Sequence, residues 1–164
     1  MNEKTGKTNR RSKTGKNEYF RELVTQVVKN QIKFRYVIND SWFALAENMN
    51  FIKREQNKDF IMPLKVNRKI ALSQEDKAQG RYVKLEAVNL EENSKKEIYL
   101  EGVEFLLSLI KQVFVNKDDS IGVLYLVTSH LKITYKQITT IDLLGNKSNA
   151  QRQLHIYFWT SIPT

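Results

Sequence analysis

Asp40 is the residue of this chain whose position best suits chemistry. It closes an apolar run that starts at Tyr36, and a helical pattern follows from Ala44. Open α/β sheets place functional residues at the carboxyl ends of buried strands, and a strand holds a metal ligand more firmly than a loop does. The alternative is that Asp40 caps the following helix. On this pattern alone the cap is favoured over the ligand.

Two other groups of polar residues carry weaker patterns. Asp118 and Asp119 are adjacent, but they fall in a predicted hairpin turn, where solvated carboxylates are ordinary. His130 and His155 have no partners at ligand spacing, so we expect them at the surface or in packing roles. Neither group predicts a metal site.

Basic residues just past the second predicted strand could contact nucleic acid, whereas the aromatic residues after Asp40 favour a packing role. Lys65, Arg68 and Lys69 follow a short apolar run and are candidates for binding DNA phosphates, although a solvated basic turn gives the same pattern. Trp42 and Phe43 are expected to pack and fix the Asp40 turn, in preference to stacking on bases.

Composition narrows the class of protein. The 164 residues include 27 Lys and Arg against 18 Asp and Glu, which gives a net charge of +9 and favours either a polyanionic partner or a solvated lysine-rich surface. The chain has no cysteine, which excludes disulfides and thiolate zinc sites. No apolar run approaches the roughly 20 residues of a membrane span. We therefore expect a cytoplasmic protein, associated with the nucleoid if it binds DNA.

The first half of the chain predicts alternating helices and strands, which is typical of an α/β layer with parallel pairing. Residues 1–16 lack aliphatic side chains after Met1 and read as a basic disordered arm. The predicted elements that follow are a four-turn helix beginning at Asn17, a buried parallel strand at 34–39, a helix at 44–55 and a strand at 59–64 in which Pro63 requires an edge or a strand end.

The second half predicts an antiparallel meander. A short capped helix opens at Ser73 and closes at Gly80. Polar turns then separate predicted strands at residues 82–88, 97–100, 106–115 and 122–128. A helix begins near Tyr135, and glycine and asparagine should break it within residues 142–147. The aromatic stretch 154–163 is either docked on something or prone to aggregate.

Several segments together resemble bacterial insertion-sequence transposases of the DDE type (IS-four-like). The resemblance runs from about residue 17 to 141 and rests on residues 34–43, 47–52, 58–65, 67–73, 80–82, 100–103, 112–114 and 122–129. It implies an RNase H-like α/β core interrupted by a mostly antiparallel β insertion. The fold class expected is therefore α/β, or α+β overall, with a partial core at 17–72 and the insertion at 73–141.

The resemblance also implies a chemistry. In that family three acids hold two Mg²⁺ or Mn²⁺ ions that cut and join DNA at transposon ends. Asp40 matches the middle acid, so the resemblance makes it a catalytic metal ligand. No Asp precedes Asp40, and no Glu follows Glu104, which leaves the first and third acids without a counterpart.

We therefore expect a transposase fragment truncated at both ends, with residues 142–164 as a divergent, frameshifted tail. Such a fragment should be inactive alone and hold no metal ion. The alternative is a non-catalytic basic module that binds DNA, forms a homo-oligomer or pairs with intact transposase. An unstable pseudogene product is a third interpretation.

Overall fold

The computed structural model describes residues 15–146 and 157–159. Four α-helices are present in this part of the chain: α1 (Lys16–Lys29), α2 (Ala46–Asn50), α3 (Gln74–Ala78) and α4 (Tyr135–Asn146). The strands are β1 (Tyr36–Ile38), β2 (Asp59–Pro63), β3 (Lys69–Ala71), β4 (Val83–Lys84), β5 (Ser94–Leu100), β6 (Leu107–Val115), β7 (Ile121–Thr128) and β8 (Tyr157–Trp159). A π-helical turn, Phe51–Glu55, extends α2, and a 3-10 turn, Leu85–Ala87, follows β4.

These strands form one mixed sheet with the order β4-β3-β5-β6-β7-β2-β1-β8. Strands β1 and β2 are parallel, whereas the other described pairs are antiparallel. Consecutive strands β5, β6 and β7 are neighbours, as expected for a meander. The mixed α/β class and the antiparallel character of the second half are confirmed.

Each face of the sheet buries its own core. On one face, α1 and α2 cover the sheet through side chains such as Phe20, Val24 and Met49. The opposite face has a smaller core, to which the loop after β7 contributes Ile133 and α4 contributes Ile138. Because side chains alternate along a strand, neighbouring residues of β1 serve different cores: Val37 faces the first, and Tyr36 and Ile38 face the second.

The elements predicted around Asp40 are largely confirmed. Helix α1 begins one residue before Asn17, and β1 is buried and parallel to β2. Pro63 is the last residue of β2, where it removes no internal ladder bond. Ser73 caps α3 by accepting from the Asp76 N–H, and Gly80 follows with a φ of +68°.

One element of the second half differs from prediction. The predicted strand at 82–88 is wrong: only Val83–Lys84 is strand, because the Leu85 and Glu86 N–H groups turn back to the carbonyls of Arg68 and Val66. Helix α4 begins at Tyr135, where the sequence predicts it, and continues through Gly145 to Asn146. Gly145 therefore does not interrupt the helix, and residues 147–156 lie outside the described part of the chain.

The sheet continues across the predicted boundary between residues 72 and 73, since β7 pairs with β2 and β5 pairs with β3. Within the predicted tail, β8 pairs with β1 at the edge of the sheet, as the docked alternative requires. Residues 142–146 of that tail belong to α4, whereas residues 147–156 and 160–164, and all of the predicted arm before Gly15, lie outside the described residues.

We expect Phe43→Ala to lower the free energy of unfolding by about 3–5 kcal/mol, because Phe43 is buried and its ring stacks on that of Phe20 with centroids 4.8 Å apart. Urea unfolding followed by circular dichroism measures the change. The control is Tyr19→Ala on the exposed side of α1, which should cost about 0.5 kcal/mol or less. Equal losses for the two variants would show that the stack is unimportant.

Candidate functional site

Asp40 organises a tight turn between β1 and α2. Its Oδ1 accepts a hydrogen bond of 2.9 Å from the Trp42 N–H, and its carbonyl accepts one of 3.3 Å from the Phe43 N–H. Helix α2 starts only at Ala46, with Leu45 as an N-cap that forms no side-chain bond. The alternative in which Asp40 caps the helix is therefore wrong; Asp40 caps the turn that precedes it.

This turn presents Trp42 to solvent. Trp42 is 68% exposed, and the Lys16 and Lys65 Nζ atoms each lie 5.5 Å from the centroid of its indole. Such distances allow cation–π attraction, which holds both ammonium groups beside the ring. We call Lys16, Trp42 and Lys65 the Trp42 surface. The prediction of a packing role is wrong for Trp42 and confirmed for Phe43.

The three predicted phosphate-binding residues have different environments. Lys65 is exposed on the Trp42 surface, and Lys69 is exposed on β3. The Arg68 guanidinium is half-buried and donates to the Ala44 carbonyl. Burial lowers the pKa of Arg68, and the Glu101 carboxylate opposes that effect. Arg68 thus ties the segment after β2 to the start of α2, which places Lys65 beside Trp42.

Asp40 does not join a multi-acid site in the described part of the chain. No group of three or more His, Asp or Glu side chains is arranged there to hold a metal ion. Two-metal phosphoryl chemistry needs several carboxylates, whereas Asp40 is accompanied at the Trp42 turn by the lysines Lys16 and Lys65. The described donor set therefore does not fit a pair of Mg²⁺ or Mn²⁺ ions.

The other candidates from sequence also have clear positions. Asp118 and Asp119 are exposed in the β6–β7 turn, where the Asp118 carboxylate accepts from the Ser120 N–H and hydroxyl. These bonds lower the pKa of Asp118. Their turn role is confirmed. His155 lies outside the described residues, whereas His130 belongs to a polar cluster that the sequence did not predict.

That cluster surrounds the buried carboxylate of Asp59, at the amino ends of β1 and β2. We call it the Asp59 cluster; its members are Arg35, Tyr36, Lys53, Asp59, Ser129 and His130. Asp59 Oδ1 accepts from Lys53 Nζ at 2.8 Å and from the Ser129 hydroxyl at 2.7 Å. Arg35 Nε lies 3.6 Å from Asp59 Oδ2.

His130 completes the cluster as a neutral imidazole. Its Nε2 lies 3.2 Å from Arg35 Nη2, and because a guanidinium can only donate, Nε2 accepts and the proton resides on Nδ1. Nδ1 faces the Tyr36 hydroxyl at 2.5 Å. Burial raises the pKa of Tyr36 to about 12. This phenol therefore stays protonated at neutral pH.

The electrostatics of the cluster favour a charged Asp59 and an uncharged His130. Burial alone would raise the pKa of Asp59, but the hydrogen bonds from Lys53 and Ser129 outweigh it and hold that pKa below 3.8. Burial lowers the pKa of His130 below 6.5, and the charge of Arg35 lowers it further, while Asp59 opposes both. Lys53 and Lys95 also disfavour the imidazolium.

The two polar groups lie at opposite ends of β1. Tyr36 pairs in register with Asp59 at the amino ends of β1 and β2, whereas Asp40 follows the carboxyl end of β1. Four residues of extended chain separate Tyr36 from Asp40, a span of about 13 Å. The Asp59 cluster therefore supports the sheet and is not part of the Trp42 surface.

Comparison with known protein families, curated proteins and solved structures finds no match. None of the helices in the described ranges is both long and apolar enough to cross a membrane.

We expect acid to destabilise the protein through His130 before it does so through Asp59. Both groups bind protons less readily in the folded than in the unfolded chain, so the free energy of unfolding falls as pH drops below about 6.5 and falls again below about 3.8. Replacing the imidazole by His130→Gln, which keeps an acceptor for Arg35, should flatten the slope in the upper window. Urea titrations at a series of pH values measure it.

The matched control is Lys132→Gln, which changes an exposed residue of the same loop outside the Asp59 cluster. It should leave the slope in the upper window unchanged. A His130→Gln slope equal to that of the original protein would contradict the assignment.

Proposed function

We propose that this chain is a DNA-binding protein related to DDE transposases, and that it binds DNA without cutting it on its own. The observation that carries the proposal is the Trp42 surface: an exposed indole between two lysines at the carboxyl end of a parallel strand. Nucleic acids offer phosphates for lysines and π-faces for aromatic rings, so this combination suits them.

Charge supports the same partner. The chain carries a net charge of +9, to which the segment before Lys16 contributes five basic residues, Lys4, Lys7, Arg10, Arg11 and Lys13. Helix α1 begins at Lys16, whose ammonium group lies beside Trp42. Release of counterions from DNA would then favour binding at this edge of the sheet.

The transposase relationship is proposed from the sequence resemblance and one feature of the fold. An RNase H-like core places its middle acid after a strand that pairs in parallel with the next one, and β1, Asp40 and β2 have this arrangement. The resemblance implies that Asp40 and two further acids would bind Mg²⁺ or Mn²⁺. Because the described donor set offers Asp40 alone, binding is the proposed activity and cleavage is not.

A second candidate function is a module that acts on an intact transposase. The same Trp42 surface would bind transposon-end DNA and occupy sites that the active enzyme needs. The exposed apolar residues elsewhere on the chain favour a protein partner as well.

We expect Trp42→Ala to weaken DNA binding by about five- to a hundredfold, because stacking of one base on an aromatic ring contributes about 1–3 kcal/mol. Lys65→Ala should weaken it less and reduce the slope of log affinity against log salt by about 1, since one phosphate contact is lost. Fluorescence anisotropy with labelled DNA at several salt concentrations measures both effects.

Lys132→Ala is the matched control, because Lys132 is an exposed lysine in the loop between β7 and α4. It should change affinity by less than about twofold. No binding by the original protein at low salt would refute the proposed function.

We expect Asp40→Asn to preserve the turn, since the amide oxygen can still accept from the Trp42 N–H. Removing a negative charge from the turn that carries Trp42 should raise DNA affinity by up to about threefold. With Mg²⁺ or Mn²⁺ and labelled DNA, both the original protein and this variant should leave the DNA intact. Metal-dependent nicking that Asp40→Asn abolishes would show instead that the chain is catalytically active.

A further inference from the structure

Strands β6 and β7 continue beyond the rest of the sheet as a free β-ribbon. Pairing of β5 with β6 ends at Lys111, and pairing of β2 with β7 ends at Leu126. Residues 112–115 and 121–124 therefore pair only with each other. We call residues 112–124 the ribbon. A two-stranded hairpin is marginally stable alone in water, so a ribbon of this kind gains from being covered.

One face of the ribbon is apolar and open to solvent. Val113 pairs with Val123 and Val115 pairs with Ile121, so these four β-branched side chains share a face. Val115 is 69% exposed and Ile121 is 73% exposed. On the other face the Phe114 ring covers Gly122, where any Cβ would collide with it. The turn at the tip adds the exposed side chains of Lys117, Asp118 and Asp119, whose net charge is −1.

The Trp42 surface has the complementary chemistry. It presents an exposed indole with two lysines, and the exposed apolar residues Leu45 and Val66 adjoin it in sequence. An apolar strip with an acidic tip complements an apolar surface bordered by lysines in hydrophobicity and in sign of charge. DNA phosphates, in contrast, would be repelled by the acidic tip of the ribbon.

The ribbon and the Trp42 surface lie at the same end of the sheet, beyond the carboxyl ends of β1 and β2. Strand β7 is antiparallel to β2, so the ribbon runs past the carboxyl end of β2, the end at which Lys65 and the Asp40 turn are found. Its reach from Leu126 to Ile121 is five residues, or about 16 Å. The ribbon's apolar face continues the side of the sheet that Tyr125 and Val127 share with α1 and α2.

We propose that two copies of this chain associate reciprocally, each ribbon lying on the Trp42 surface of the other copy. Because the ribbon and the Trp42 surface lie at the same end of the sheet, a two-fold axis repeats the contact twice and closes the assembly. Association would cover the indole that binds DNA, so the second copy and DNA compete for it. The pairing stands without the proposed function; only the competition rests on it.

Site-specific cross-linking tests the pairing directly, because the chain contains no cysteine. Lys117→Cys at the ribbon tip and Val66→Cys beside the Trp42 surface are purified separately, mixed and mildly oxidised. A mixed disulfide between the two variants is expected. Pairing Lys117→Cys with Lys132→Cys is the control and should give little product. Ribbon-to-ribbon disulfides of Lys117→Cys in place of the mixed product would overturn the proposal.

Light scattering at high micromolar concentration gives a second readout. The original protein should have the mass of a dimer, and Ile121→Lys that of a monomer, with an unchanged circular dichroism spectrum. Val83→Lys alters an equally exposed apolar residue on β4 and should remain dimeric. A monomeric original protein would overturn the proposal.

The competition is tested by DNA. Excess DNA should reduce the mixed disulfide about tenfold, and Ile121→Lys should bind DNA more tightly than the original protein. Weaker DNA binding by Ile121→Lys would show that DNA, and not a second copy of the chain, covers the ribbon. That result would overturn the proposal. If the protein binds no DNA and the cross-link forms equally with and without DNA, the proposed function is refuted. The pairing of two copies would still be supported by the cross-link.

Discussion

The buried carboxylate of Asp59 constrains much of this fold. A charge that is 7% exposed costs several kcal/mol unless it is paired and hydrogen-bonded. Its partners come from three places: Arg35 before β1, Lys53 on the π-helical turn and Ser129 after β7. The Ser129 hydroxyl also accepts from the Phe60 N–H, which fixes the start of β2 against the end of β7. One charge thus holds β1, β2 and β7 in register.

That register also determines which segments meet at the carboxyl ends of β1 and β2. Once Tyr36 is opposite Asp59, the carboxyl ends of β1 and β2 lie side by side, and the segments after them must also be neighbours. Arg68 joins those segments through the Ala44 carbonyl. Lys65 is then brought beside Trp42, although the two residues are 23 positions apart in sequence. The Trp42 surface is a consequence of strand pairing and not of a local motif.

The apolar periodicity of the sequence predicts most of the helices and strands, but it does not predict which side chains contact each other. Helix α1, the parallel β1–β2 pair and the β5–β7 meander follow from apolar spacing and turn residues, which are local properties. The Asp59 cluster joins residues up to 95 positions apart, so no spacing rule reveals it. The residues close to His130 in sequence predict no partner for its imidazole, whereas in the structure its partners are Arg35 and Tyr36.

Trp42 illustrates the same limit in the candidate site. Aromatic residues bury large areas, so the prior for Trp42 and Phe43 favoured packing for both. After the Asp40 turn Phe43 enters the core against Phe20, whereas Trp42 remains exposed to solvent. Asp40 accordingly has a structural role that needs no metal, since its bond to the Trp42 N–H sets the turn. The Asp40 carboxylate thereby presents the indole to solvent.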